Sequence, residues 1–388
     1  MEEAYDFGAG VQSLVQFNGV PEDVFLDFGG WIGPGLNDFG LFARVVPNLG
    51  SYEASEQVTA GYLMADFRLA PKFKVSTGIR FERTDIALEM RDAFIAPELR
   101  FADLERNDFL PGINTTWNIK ENMNLRASYG RTIARPTFRE LARFTTFDFL
   151  GDFTLIGNPF LERTVVDNID LRWEIFPRTE EIFSLSLFYK SFQDPIERAV
   201  NPTTSDLAIQ FEFRNVEQAF VLGGELEIRK KLDFISPTLK NLSVGANITV
   251  LTSQVDIAPG ELALIRVNDP AAESTRPLFG QSPYIINALL SYNNLDNGWA
   301  ANLSFNVQGE RLSAVSVGGT PNVFEQPRPM LDFNVSKTLG NFKIKFSAGN
   351  LLNAKYKFTQ DFNNTEYIYQ LYQLGQTFGL SLSYGLER

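Results

Sequence analysis

The sequence predicts an all-β protein: an antiparallel transmembrane β-barrel of about fourteen strands, with short turns at one end and long loops at the other. Three observations predict this fold. Apolar and polar residues alternate over segments of strand length, the connections alternate between short and long, and no stretch is long and apolar enough for a membrane helix. A strand points successive side chains to opposite faces, so each segment has one apolar and one polar face.

The alternation is clearest in the last third of the chain. Residues 301–308 place Ala, Leu, Phe and Val at odd positions and Asn, Ser, Asn and Gln at even positions. Leu331, Phe333 and Val335 alternate with polar residues in the same way. Strands with one apolar face and one polar face suit a barrel that has lipid outside and water inside.

About fourteen strand candidates follow along the chain. Most exceed the ~5–6 residues common in globular strands and approach the ~9–11 needed to cross a bilayer at a tilt. They lie near residues 57–69, 72–84, 108–118, 122–133, 163–176, 181–192, 207–215, 219–231, 240–253, 283–293, 298–311, 328–338, 341–350 and 376–385.

The connections between these strands alternate in length, which places all the tight turns at one end of the barrel and all the large loops at the other. The short connections are 70–72, 119–121, 177–180, 233–240, 294–297 and 339–340. The long connections are 85–107, 134–162, 193–206, 254–282, 312–327 and 351–375.

The N-terminal region is less regular than the rest. Residues 1–56 are predicted to form an irregular segment with one or two strands, and residues 57–388 to form the barrel, without a plug domain. The acidic start lacks the basic and apolar regions of a signal peptide. We therefore expect that the chain is a mature form or a fragment of an exported protein, or else that the membrane interpretation is wrong.

Composition excludes several function classes. The chain of 388 residues has no Cys and no His, which removes thiol nucleophiles, Cys or His zinc sites and Ser-His-Asp triads. The net charge of -12 argues against a nucleic-acid partner. Glu225 and Glu227 share a strand face, where a solvated lumen accounts for them better than acid/base chemistry. We expect no enzyme activity, no cofactor and no metal site.

Aromatic residues stand near the ends of the predicted strands. A barrel carries aromatic girdles at both membrane interfaces, although strands are rich in aromatics in any setting. The residues concerned are Trp117, Tyr129, Trp173, Tyr189, Tyr292, Trp299 and Tyr384.

One long loop contains the candidate ligand contacts. Residues 135–141, Arg-Pro-Thr-Phe-Arg-Glu-Leu, follow a strand and open the connection that ends near Pro159. Loops on rigid scaffolds carry recognition, so Arg135, Arg139 and Glu140 are the candidate ligand-binding residues. The alternative is a purely structural role in a folded loop with Pro and Gly turns.

Several motifs, in order, resemble TonB-dependent outer-membrane receptors, most nearly those of the Bacteroidetes type. The resemblance rests on residues 135–141, 157–161 and 167–171, on Gly224-Glu225-Leu226-Glu227, on 282–287, on 348–356 and on the closing 378–384. The motif residues of interest are Pro136, Phe138, Gly157, Asn158, Pro159, Glu225, Asn350, Leu351, Leu352, Asn353 and Tyr356.

The resemblance implies a barrel of about twenty-two strands, filled by an N-terminal plug, that imports a scarce ligand across the outer membrane with energy delivered through TonB. The implied ligand is an iron chelate, a cobalamin or a glycan. The other implied partners are outer-membrane lipid and the barrel-assembly machinery. The chain departs from the pattern in showing no plug, no TonB box and no signal peptide, so contact with TonB is expected only in a full-length parent.

Three hypotheses therefore stand. The first is the C-terminal barrel portion of a TonB-dependent receptor in the outer membrane. The second is a passive porin-like or fatty-acid-type channel of about fourteen strands. The third is a soluble β-rich binding protein, whose apolar strand faces would then need another partner.

Overall fold

The computed structural model describes residues 51–91, 95–147, 154–200, 210–268, 270–316, 321–362 and 365–385. Over these residues the chain is almost entirely β-structure, with two α-helices, α1 (Phe138–Leu141) and α2 (Pro259–Asn268). No helix among them has the length and apolar character needed to cross a membrane.

The main feature is a fourteen-stranded sheet in which thirteen strands follow one another as a meander and a short fourteenth, β13 (Thr275–Arg276), pairs with β12. Neighbouring strands of the meander are antiparallel. Its members are β1 (Tyr52–Ala70), β2 (Phe73–Met90), β3 (Phe101–Lys120), β4 (Met123–Ala134), β7 (Thr164–Ile175), β8 (Ile182–Gln193), β11 (Gln218–Lys231), β12 (Leu242–Asp256), β14 (Tyr284–Asn294), β15 (Trp299–Gln308), β18 (Met330–Leu339), β19 (Phe342–Gly349) and β22 (Thr377–Tyr384).

The remaining strands build two smaller sheets within the long connections. The first has the order β5-β6-β10-β9, with β10 parallel to β6, and the second has the order β16-β17-β20-β21. The strands are β5 (Thr145–Phe147), β6 (Thr154–Ile156), β9 (Ile196–Val200), β10 (Gln210–Asn215), β16 (Arg311–Ala314), β17 (Val323–Glu325), β20 (Tyr356–Phe362) and β21 (Thr365–Tyr372).

Strand pairing aligns the two faces across the meander. One row of directly opposed residues is apolar on eight consecutive strands: Trp117, Leu125, Trp173, Leu185, Leu226, Ile248, Ile286 and Val307. A second row, on the opposite face, is polar on seven: Asn124, Glu174, Ser184, Glu227, Asn247, Asn287 and Asn306. The alternation in the sequence is therefore a property of the whole sheet, with one apolar surface and one polar surface.

The predicted strands correspond closely to the meander, with two corrections. The segment predicted near 207–215 is not a meander strand, because β10 lies in a loop sheet and pairs with β6 and β9. The predicted loop 85–107 is wrong, since β2 continues to Met90 and β3 begins at Phe101. The predicted strands within residues 1–50 lie outside the described residues, and β1 begins at Tyr52.

The extended ends of β2 and β3 have a physical reason. The face that carries Arg80, Glu82 and Thr84 on β2 continues as Ile86, Leu88 and Met90, all three of which are buried. These side chains form a core with Ala102 and Leu104 of β3 and with Leu141, Ala142 and Leu161 of the next long connection. The two strands therefore continue past the barrel wall because a folded loop covers their apolar ends.

Most of the aromatic residues predicted to form a girdle lie at the short-turn end. Trp117, Trp173, Tyr292, Trp299 and Tyr384 all lie within a few residues of a short turn. Tyr129 and Tyr189 lie further towards the long loops, both opposite Ile169.

Candidate functional site

The polar face of the meander carries a connected set of charges. Arg172 donates to Glu227 at 2.7 Å and to Glu174 at 3.1 Å. Glu174 also accepts from Arg126 at 2.6 Å and from Asn124 at 3.1 Å. The family-motif residue Glu225 accepts from Asn247 at 2.5 Å. Because each of these carboxylates accepts a hydrogen bond from another strand, they tie strands together and do not form a free catalytic pair.

A shallow recess of about 350 Å³ lies on the same face. Asn247, Asn287, Asn306 and Asp332 contribute to its lining. Asn306 donates to Asn287 at 2.7 Å. Ile228, Leu289 and Phe305 also line the recess, so it combines amide and carboxylate groups with apolar surface.

Arg135 lies where the polar face meets the long loops. Its guanidinium donates to Thr84 at 2.9 Å and to Glu82, and it lies 4.0 Å from Glu56. Glu82 is largely buried and also accepts from Arg80 at 2.5 Å. Arg135 therefore joins the end of β4 to β2 and to β1, which is a structural task.

Glu140 and Arg139 lie on the short helix α1. The Thr137 hydroxyl accepts from the Glu140 amide at 3.3 Å, while the Thr137 amide donates to the Glu140 carboxylate at 2.7 Å. This reciprocal pair is a capping box, which satisfies two otherwise unpaired amides at the helix start. Arg139 is exposed, Pro136 is buried and Phe138 packs on the core below. The loop motif thus folds a helical turn onto the strand ends.

Gly157, Asn158 and Pro159 close the same loop. A methyl group on Gly157 would lie 2.1 Å from the Ala142 carbonyl oxygen, so only glycine fits there. The Asn158 side chain donates to the Phe213 carbonyl at 3.0 Å and accepts from the Phe160 amide at 3.0 Å. Pro159 is buried. These residues fix the return of the chain and attach it to β10.

The motif near residue 350 is a turn on the loop side of β19. Asn350 and Asn353 have positive φ angles of 54° and 47°, a conformation that asparagine tolerates better than most residues. The Asn350 amide donates to Asp332 at 2.7 Å, and the Leu351 amide donates to the Leu331 carbonyl at 2.8 Å. Leu352 is exposed. The turn ties the top of β19 to β18.

The long connections interlock above the wall. Ala199 and Val315 form a parallel bridge between the two small sheets, with the Val200 amide 2.8 Å from the Val315 carbonyl. The Gly280 amide donates to the Leu312 carbonyl at 2.8 Å. Buried side chains from different loops share one core, as Leu155 and Phe211 pack with Ala314 and Val323. The loops form a single packed cap.

A buried ion cluster strengthens this cap. Glu197 is 2% exposed and accepts from Arg214 at 2.9 Å and from Arg276 at 2.5 Å. Arg214 also contacts Glu261 of α2 at 2.9 Å. The two acids hold the pKa of the Arg214 guanidinium above its ordinary value, against the lowering effect of burial. The cluster joins two connections, β8–β11 and β12–β14, and it was not found from sequence because its members are far apart in the chain.

An aromatic group stands in the second small sheet where β20 begins and β21 ends. Tyr356 and Tyr372 stack at 4.6 Å with an angle of 7° between the rings, and the Arg328 guanidinium lies 3.9 Å from the Tyr356 ring centroid. Tyr367 and Tyr372 are exposed. Sequence reasoning singled out Tyr356 as a motif residue but missed its partners, although the Tyr-rich segment 367–372 was a visible signal.

A second ionic cluster lies on the short turns at the other end. The buried Glu181 carboxylate accepts from Arg178 at 2.5 Å and from Lys230 at 2.7 Å. These hydrogen bonds, led by that from Arg178, lower the pKa of Glu181 to about 2. Arg178 also contacts Asp233 at 2.8 Å and lowers the pKa of that carboxyl. The described residues contain no group of acids, His or Cys arranged to hold a metal ion.

The sequence profile described as "TonB dependent receptor-like, beta-barrel" matches residues 4–354, most of the chain. The chain belongs to this receptor family. The TonB-dependent receptor assignment confirms the predicted fold, the outer-membrane location and the expectation that the chain is not an enzyme. The finer resemblance to Bacteroidetes receptors stays a prediction.

Solved receptors share the fold at low identity. The ferric citrate transporter FecA, unliganded, has a TM-score of 0.60 at 15% identity, covering 86% of this chain and 45% of that chain. The copper transporter OprC has a TM-score of 0.60 at 15% identity, and the match covers 85% of this chain and 48% of OprC. A variant of the ferric enterobactin receptor PfeA from Pseudomonas aeruginosa has a TM-score of 0.54 at 15% identity. That match covers 85% of this chain and 45% of PfeA. A search of curated proteins finds no significant match.

The TonB-dependent receptor chain described here spans about half the length of the solved receptors that it matches. Arg135 and Glu140 are engaged in contacts within the fold, and whether they or Arg139 touch a ligand stays a prediction.

Proposed function

We propose that this chain forms the C-terminal barrel portion of a receptor that binds a ligand at the loop end and imports it across the outer membrane. The observation that carries the proposal is the packed cap, in which loops from five connections share cores, a strand bridge and ion pairs above a polar wall. A passive pore has no need for such an ordered structure over one mouth, whereas a receptor needs rigid loops to position its contacts.

The ligand class that the cap supports best is an anionic metal chelate. Arg328 lies over the Tyr356 ring, the exposed Tyr372 stacks on the same ring, and Tyr367 is exposed five residues earlier on β21. Arginine and aromatic rings together suit flat, negatively charged, aromatic or carboxylate-rich ligands. Two solved receptors with the same fold are named for ligands of this class, ferric enterobactin and ferric citrate. A cobalamin or a glycan is the alternative cargo.

We propose that the complete receptor, rather than this barrel portion alone, receives energy through TonB. In the solved relatives more than half of each chain lies beyond the matched part. We propose that a plug and a TonB contact accompany this barrel in the complete receptor, and that the polar face of the meander surrounds the plug.

Binding to the inserted chain tests the proposal. Cells that express the chain are fractionated, and insertion is verified by detergent extraction and by a heat-dependent shift in electrophoresis. Radiolabelled ferric enterobactin, ferric citrate, copper(II), cyanocobalamin and an oligosaccharide are then offered separately. We expect saturable binding of one chelate, weakened about tenfold by Tyr372→Ala, as for loss of one aromatic hot spot. Tyr292→Ala, at the short-turn end, is the matched control and should change nothing.

Two results would overturn the proposal. One is an inserted chain that binds none of the five probes. The other is a large conductance in planar bilayers that no probe reduces, which would support the passive channel instead.

A further inference from the structure

The turn between β11 and β12, residues 232–241, carries two large apolar side chains in the open. It is the longest of the short connections in the described meander. Two 3-10 turns, Leu232–Phe234 and Pro237–Leu239, shape it. Phe234 is 64% exposed and the adjacent Ile235 is 63% exposed. Side chains of this kind at the tip of an ordered turn call for an apolar partner.

Strand pairing shows which surface these side chains adjoin. Leu226 and Ile228 lie on the apolar face of β11, opposite Leu185 and Phe183 of β8. Lys230 follows Ile228 by two residues, so it continues the same face about 7 Å further towards the turn. The Lys230 ammonium group lies 5.6 Å from the centroid of the Phe234 ring. Phe234 therefore lies directly below the lipid-facing band.

The turn is held in place rather than left to move freely. Arg178 of the neighbouring turn contacts Asp233 at 2.8 Å, and Lys230 contacts the buried Glu181 at 2.7 Å. The Ser236 hydroxyl accepts from the Thr238 amide at 3.4 Å. Ion pairs on one side and a capped 3-10 turn on the other thus present the two apolar side chains in a defined position.

We propose that Phe234 and Ile235 insert into the phospholipid leaflet at the short-turn end, at the border between headgroups and acyl chains. The apolar pair continues the band that ends in the aromatic residues Trp173 and Phe183, whose rings are 5.8 Å apart. The exposed Lys240 on the same turn suits the lipid phosphates. The turn would act as a membrane anchor beside the barrel wall, a role separate from ligand import.

The absence of cysteine makes a site-specific test possible, because a single introduced thiol has no background. The full chain is made as Phe234→Cys, Ile235→Cys and, as a matched control on another short turn, the exposed Glu121→Cys. Each is labelled with the environment-sensitive dye NBD and reconstituted in phosphatidylethanolamine–phosphatidylglycerol vesicles. The heat-dependent electrophoretic shift verifies that each variant is folded.

We expect NBD at positions 234 and 235 to emit at shorter wavelength than at 121. A doxyl-labelled phospholipid should quench it at least about twofold more strongly than at 121, and aqueous iodide should quench it less. Iodide quenching equal to that at position 121 would overturn the proposal. So would shielding from both iodide and the doxyl lipid, which would indicate that a protein surface covers the turn.

Discussion

Gly157 and Ala142 approach each other so closely that a methyl group on Gly157 would lie 2.1 Å from the Ala142 carbonyl oxygen. The same methyl group would lie 2.9 Å from the carbonyl oxygen of Arg139. The contact brings the return of the long loop against the end of α1. It explains why glycine stands at this position, since the backbone angles themselves are not unusual there.

We expect Gly157→Ala to destabilise the loop by about 2 kcal/mol, the usual cost of overpacking. Because the clash is with backbone atoms, it cannot be relieved by rotating a side chain. Limited proteolysis of the inserted protein should show faster cleavage within residues 135–163. Gly130→Ala is the matched control, since a methyl group there meets nothing within 4 Å. Equal cleavage of the two variants would contradict this account.

Arg135 is expected to stabilise the fold whether or not it contacts a ligand. Replacing it with Met leaves the largely buried Glu82 with only Arg80 as an ionic partner. The expected loss is about 1–2 kcal/mol, less than for a fully buried pair because Arg80 remains. Chemical unfolding in detergent should show it as a lower midpoint. Arg139→Met, on the exposed side of α1, serves as the control. A larger loss for Arg139→Met than for Arg135→Met would refute this role.

The Glu181 cluster predicts a pH dependence of stability. The pKa of the Glu181 carboxyl is about 2 in the folded protein, against an ordinary value of 4.5. The folded state therefore binds the carboxyl proton more weakly than the unfolded state does. The stabilisation is therefore complete above about pH 4.5 and is lost as the pH falls towards about 2. Glu181→Gln should lower the unfolding midpoint at neutral pH, and its difference from the parent should shrink on acidification. Glu121→Gln, an exposed neighbour, should show no such trend; a constant difference for Glu181→Gln would disprove the linkage.

Asn353 tests the turn after β19. Its φ angle of 47° favours glycine or asparagine, so Asn353→Gly should keep the unfolding midpoint close to that of the parent. Asn353→Ala should cost about 1 kcal/mol, because a Cβ without a local hydrogen-bonding group is strained in this region. Thermal unfolding of both variants measures the difference. If alanine proved as well tolerated as glycine, backbone strain would not explain the motif.

Much of the fold could be predicted because alternation is a local property. Residues 301–308 show their two faces without any knowledge of their neighbours, and the paired rows across the sheet confirm those faces. The segment near 207–215 shows the limit. Its alternation is real, but β10 pairs with β6 and β9 rather than with the wall, and no local pattern distinguishes a wall strand from a loop strand.

The candidate site was harder to predict for the same reason. Arg135 and Glu140 are polar residues in a loop, which is how ligand contacts and structural contacts both look in a sequence. The partners Glu82 and Thr137 show the structural contacts of these residues, and Glu82 lies on a different strand from Arg135. The Glu197 cluster with Arg214 and Arg276 left no local signal at all.

By itself the sequence determined the two-faced strands, the alternation of short and long connections and the family motifs, because each of these depends on residues close together in the chain. Only the tertiary structure decided that the long loops pack into one cap, that Arg135 joins the end of β4 to β2 and that Phe234 adjoins the apolar band. Those relationships depend on strand pairing, which brings residues 50 or more positions apart within hydrogen-bond distance.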